Sequence, residues 1–193
     1  MHISTFLVSL PVILIIGAYI PLFLRVWNRT AQPNIATFTL WIVTGVCAVT
    51  TTIFSGGETP YVGLGFIISN FLLIGLLLKT RSWSWGRKEN IALTVVVVSV
   101  IIWFVTDATY GLYAIVLGNY LGAGVPSLID AYKNPQKTQV LIWFLFSLAS
   151  FVNMLVITNT AFESYVYPFA ALVFNALVAL AHAKSLLSTK VEK

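Results

Sequence analysis

Seven long apolar runs, each closed by a short polar break, make up almost the whole chain. Runs such as IALTVVVVSVIIWFV do not alternate between apolar and polar positions. That excludes the alternating strands of about ten residues that build a membrane barrel, and it leaves helices. The pattern predicts spans at 4–25, 35–55, 60–79, 90–106, 109–131, 138–158 and 165–185. The breaks read NRTAQPN, SGGETP, RSWSWGRKEN, a minimal turn at Asp107, YKNPQK and NTAFES, each rich in residues that stop helices and turn the chain.

Composition narrows the class further. Only 9% of the residues are charged, against about 25% in an ordinary soluble domain, so a water-exposed surface all round is not available. A hydrocarbon core about 30 Å thick takes about 20 apolar residues per helix, so seven spans consume nearly all 193 residues and leave no second, soluble domain. The first run is preceded by Met1 and His2 and closed by Pro21 and Arg25, which predicts a retained helix, not a signal peptide. Cys47, the single cysteine, lies within an apolar run and implies neither a disulfide framework nor a metal cluster.

Charge orients the spans. All eleven Lys and Arg, among them Arg25, Arg29, Lys79, Arg81, Lys133, Lys137, Lys184, Lys190 and Lys193, flank helices one, three, five and seven. The loops after helices two, four and six carry only Glu58, Asp107 and Glu163. By the positive-inside rule the N-terminus is outside and the C-terminus cytosolic, in a plasma or bacterial inner membrane. The net charge of +5 is thereby a matter of topology, and no nucleic-acid partner is implied.

The chain also repeats. A shift of 105 residues superposes Gly17 on Gly122, Pro21 on Pro126, Glu58 on Glu163, Asn70 on Asn175 and Lys79 on Lys184. A shift of 102 superposes Pro33 on Pro135 and Trp41 on Trp143. Three helices per half is an odd number, so a fourth helix is needed to bring the second half back to the same orientation. The expected fold is an all-α membrane protein of seven transmembrane helices, a 3+1+3 parallel repeat of triple-helix bundles. The first bundle spans 1–80, the basic loop and linker helix 81–108, and the second bundle with a short cytosolic tail 109–193.

On that plan, the stretches YIPLFLRVWNRTAQPN and GVPSLIDAYKNPQKTQ resemble the SWEET sugar facilitators and the wider PQ-loop (MtN3-like) superfamily over nearly the whole chain. In that family, helices one, two, five and six carry a proline near the cytosolic gate, and helices three and seven offer an asparagine to the sugar. Pro21 and Pro126 match the prolines of helices one and five, and Asn70 and Asn175 match the asparagine pair. The chain departs from the pattern at Trp41 and Trp143, which stand where the second and sixth helices would carry proline. It departs again where the Pro-Gln pair reads Pro21-Leu22 and Pro126-Ser127. The chain also resembles two neighbours of SWEET-like architecture, nicotinamide riboside transporters of the PnuC type and KDEL receptors.

Asn70 and Asn175 each sit about ten residues into a span, near the bilayer midplane. Two amides facing one pathway suit hydroxyls or an amide-bearing solute; the bland alternative is that each ties neighbouring helices together for about 0.6 kcal/mol. Pro21 and Pro126 read as gating hinges or as static kinks. Trp41 and Trp143 read as a paired aromatic gate or as interfacial anchors. Asn119, Asn153 and Thr51 are further candidates for pocket lining. Tyr110, Tyr113, Tyr165 and Tyr167 read as interfacial belt residues, and Trp83 and Trp85 as interfacial anchors.

No zinc motif and no Ser/His/Asp arrangement is present, so neither a catalytic site, a resident metal nor a cofactor is expected. The function expected is facilitation of a small polar solute, a sugar first, by alternating access. A PnuC-like vitamin or nucleoside transporter and a KDEL-receptor-like binding protein are the alternatives. The lipid bilayer is the other partner, and the sequence leaves open whether the chain forms a homo-oligomer.

Overall fold

The computed structural model describes residues 2–31, 33, 35–78 and 85–188, and they form seven helices with no strand among them. These are α1 (His2–Trp27), α2 (Ile35–Phe54), α3 (Tyr61–Leu77), α4 (Arg87–Val105), α5 (Ala108–Lys133), α6 (Lys137–Val156) and α7 (Phe162–Ser188). Of the positions the charge argument used, Lys79, Arg81, Lys190 and Lys193 lie outside the described residues, as does Trp83.

Five helices, α1, α2, α5, α6 and α7, are long and apolar enough to cross a membrane, and α3 and the apolar part of α4 (Glu89–Val105) are shorter. The exterior fits an apolar solvent. Phe104, Leu180, Leu155 and Phe71 are all more than half exposed, and a water-soluble monomer does not cover itself with such residues.

Local chemistry sets the helix ends. α1 stops where Arg29 turns to φ 58° and the Thr30 N–H reaches back to the Arg25 carbonyl. α2 stops at Gly56, φ 84°, a conformation that glycine adopts at no steric cost. Asp107 separates α4 from α5 by accepting the N–H groups of Thr109 and Tyr110, two of the four donors that a helix start leaves unpaired.

The packing order is the same on both sides of α4. Helix α3 packs against both α1 and α2, and α7 packs against both α5 and α6. Between the two groups the contacts are reciprocal, α1 on α6 and α2 on α5. Helix α4 lies along α5 over a seam of glycines. A methyl group at Gly111 would overlap the Trp103 ring, one at Gly118 would overlap Ser99 Oγ, and one at Gly122 would lie 3.2 Å from Val95 Cβ. Close approach of this kind is how helices pack where lipid supplies no hydrophobic drive.

One irregularity breaks the likeness between the two groups. Helix α1 is α-helical throughout, across both Pro11 and Pro21. Helix α5 contains a π turn at Tyr120–Gly124, in which the Val125 N–H reaches back five residues to the Tyr120 carbonyl. Pro126 follows directly and has no N–H to return to Gly122, so the backbone is already relieved of one regular bond at this point.

Candidate functional site

Where the two groups of helices face each other they leave a cavity of about 300 Å³. Asn70 from α3, Asn175 from α7 and Asn119 from α5 all line it, and each is buried to within 3% of full burial. Trp41 from α2 and Trp143 from α6 line it as well. The wall also contains Leu22 with Ser127 and Thr37 with Gln139. These pairs are related by the same shifts, 105 and 102, as the asparagines and the tryptophans.

Two aromatic hubs shape the wall. Phe146 of α6 meets Tyr19 at 5.2 Å, Phe66 at 5.1 Å and Trp143 at 5.5 Å between ring centroids. Phe174 of α7 meets Tyr120 at 5.0 Å, Trp143 at 6.0 Å and Trp41 at 6.5 Å. These separations fall in the range of favourable ring packing, so the hubs fix the positions of the polar groups set among them.

Those polar groups are unequal. Tyr19 Oη donates to Asn70 Oδ1 at 2.7 Å, which holds the Asn70 amide with its NH₂ left to donate. The residue related to Tyr19 by the shift of 105 is Gly124, whose place beside the Phe174 ring has no room for a phenol. Asn119 Oδ1 is buried without any partner. No Asp, Glu, Lys, Arg or His contributes to the wall among the described residues. A charged solute would therefore be desolvated there without a counter-charge, while a neutral one with hydroxyl or amide groups finds donors and acceptors.

The cavity is closed at one end and reaches the other. Its wall extends to Pro33, Thr37 and Gln139, at the starts of α2 and α6 close to Arg29, Lys133 and Lys137. At the end carrying Glu58, Asp107 and Glu163, the α2–α3 and α6–α7 loops are tied together. Glu58 Oε2 accepts from the Thr158 N–H at 2.8 Å, Thr158 Oγ1 at 2.9 Å and the Asn159 N–H at 2.8 Å. The Glu58 N–H donates to Ser164 Oγ at 2.9 Å, and Asn159 Nδ2 donates to the Gly56 carbonyl at 2.8 Å. Burial pushes the Glu58 carboxyl up, but the Asn159 and Thr158 hydrogen bonds more than offset this and hold it below the usual glutamate value.

Several residues singled out in the sequence lie elsewhere. Asn153 is fully buried outside the cavity wall, where its Oδ1 accepts the Val62 N–H at 2.8 Å and so caps the start of α3 from α6. Thr51 is also outside the wall, its hydroxyl bonded to the Cys47 and Ala48 carbonyls of its own helix. Pro21 is exposed and Pro126 half-buried, and neither lines the cavity; the residue after each one does. Tyr167 is not an interfacial belt residue, because it is 3% exposed and forms part of the wall. Tyr19, Tyr120, Phe146 and Phe174 were not distinguishable in sequence from the other aromatics of apolar runs. His182 ties the basic end by accepting the Gln136 N–H on Nδ1 at 3.1 Å.

No family model, curated protein or solved structure matches the chain, so the meaning of this cavity rests on its own geometry.

Proposed function

We propose that the chain is a membrane facilitator that moves a small neutral polar solute, a sugar in the first place, by alternating access between two pseudo-symmetric three-helix halves. The observation that carries this is the uncharged cavity on the line where the halves meet, with three carboxamides in its wall. The reciprocal contacts of α1 with α6 and α2 with α5, and the paired positions around the wall, favour the 3+1+3 repeat and a SWEET-like arrangement. The N-terminus is then outside, and the conformation is the inward-facing one, with the Glu58 ties closing the outer side. Asn70 and Asn175 hold the solute, Trp41 and Trp143 narrow the inner side, and the Pro21 and Pro126 regions take up the bend when the halves rock.

The uncharged wall favours a facilitator over a KDEL-receptor-like protein, which needs a cation to meet a peptide carboxylate. It also favours uncoupled transport, since among the described residues no carboxylate or imidazole lines the cavity to carry a proton. The paired tryptophans keep a second reading in view, a flat aromatic solute such as a nucleoside or vitamin stacked on them.

Reconstituted in liposomes, the protein is expected to give saturable uptake that does not change with an imposed proton gradient. Screening sugars, nucleosides and vitamins by thermal shift identifies the solute to use. Asn70→Ala and Asn175→Ala are each expected to lower kcat/KM about tenfold or more, by removing one hydrogen bond from a site shielded from water. Unchanged transport in both variants would end the assignment of these two residues.

A further inference from the structure

Asn119 has no counterpart in the first half. The residue related to it by the shift of 105 is Leu14, in a helix that has no π turn. Its carboxamide is 2% exposed, lines the cavity and leaves Oδ1 unpartnered. A buried carbonyl oxygen without a donor destabilises the fold, and a leucine of similar size would not. The π turn explains how the residue comes to face the solute. Eight residues of regular helix would set Asn119 and Ser127 about 80° apart around the axis; one residue absorbed by the π turn brings them to within about 20°. Both are in the wall.

We propose that Asn119 is a specificity-determining residue: its free carbonyl oxygen accepts a hydrogen bond from the solute, which is therefore a neutral molecule carrying a hydroxyl or amide N–H donor. This rests on the transport reading above and adds a direction to it. Tyr19 already occupies the Asn70 oxygen and leaves its NH₂, so the first half presents a donor. Asn119 makes the second half present an acceptor. The solute is bound in one orientation, despite the near-symmetry of the helices that hold it.

The test uses the full chain in proteoliposomes, with radiolabelled D-glucose, sucrose, uridine and choline as probes, and the variant Asn119→Leu. Wild type is expected to carry at least one of the three neutral probes. Asn119→Leu is expected to raise the KM for that probe by tenfold or more, while the empty variant melts at the wild-type temperature or above it. Lower affinity together with equal or greater stability is the signature of a group kept for its ligand. Should Asn119→Leu not reach the membrane, Asn119→Ala, which is smaller and leaves no side-chain acceptor, is read by the same KM change. An unchanged KM overturns this inference alone, and so does a raised KM in a protein that melts well below wild type, which makes Asn119 a structural residue. Failure of wild type to carry any neutral probe overturns the transport reading, and this inference falls with it.

Discussion

Gly118→Leu is expected to force α4 and α5 apart, lowering the melting temperature in detergent by about 6–12 °C. Even a methyl group at this position overlaps Ser99 Oγ and comes within 3.3 Å of Val95 Cγ1. Ser99 is held in place by its own bond to the Val95 carbonyl at 2.8 Å, so it does not swing aside without losing that bond. A leucine must push α4 off α5. Overpacking costs about 1–3 kcal/mol, and the upper end applies where backbones touch; for a chain of this size each kcal/mol moves the melting point by about 2–4 °C. Gly75→Leu is the control. Nothing lies within 4 Å of a methyl group there, so its melting point is expected to stay at or slightly above wild type. Equal melting of the Gly118 and Gly75 variants would show that the seam does not hold α4 in place.

That seam was not read from the sequence, although Gly118 and Gly122 stand in the G-x-x-x-G spacing. Twelve glycines are scattered through this apolar chain, and only the fold tells which of them face a neighbour. The helices themselves were legible, because the length of an apolar run between polar breaks is a property of the chain in one dimension. The expected 35–55 became Ile35–Phe54 and the expected 138–158 became Lys137–Val156. The last helix starts three residues before the expected 165, because an apolar run does not mark the polar first turn that holds Glu163 and Ser164.

The asparagine pair was legible for another reason: amides are scarce in apolar runs, so a repeat of them at one shift stands out. The same logic failed for Thr51 and Asn153, which also correspond between halves. They lie nearer the acidic end, where Thr51 Oγ1 bonds to the backbone of its own helix and Asn153 Oδ1 to that of α3 instead of facing a cavity. Rotation about a helix axis decides between those fates. The π turn that rotates Asn119 leaves no compositional mark beyond two glycines and a proline.

Glu58→Ala is expected to loosen the acidic end and to raise the population open on that side by tenfold or more. One carboxylate oxygen holds three donors from the α6–α7 loop, at 2.8 to 2.9 Å, and alanine removes all three bonds at once. Because the site is at a solvated rim, each is worth about 0.5–1 kcal/mol, less than a buried charged bond. Three together correspond to roughly 10- to 100-fold in an equilibrium between closed and open. Hydrogen exchange in lipid nanodiscs reads this directly. The Thr158 and Asn159 amides lose their acceptor, and the Val62 amide loses protection when α3 separates from Asn153. All three are expected to exchange at least tenfold faster, with Glu58→Gln between wild type and alanine because its oxygen still accepts but carries no charge.

The pH dependence of the same amides follows from the lowered carboxyl value. A carboxylate stabilised by the closed state contributes fully above its unperturbed value of about 4.3, and that contribution is lost as pH falls through the lower value of the closed state. Corrected for chemical exchange, protection in wild type is therefore expected to be flat from about pH 5 to 8 and to fall only below about pH 4. Glu58→Gln is expected to be flat throughout. Loss of protection in wild type already between pH 5 and 7 would mean that another group holds the loops together. Equal protection in Glu58→Ala and wild type would mean that the carboxylate holds nothing shut.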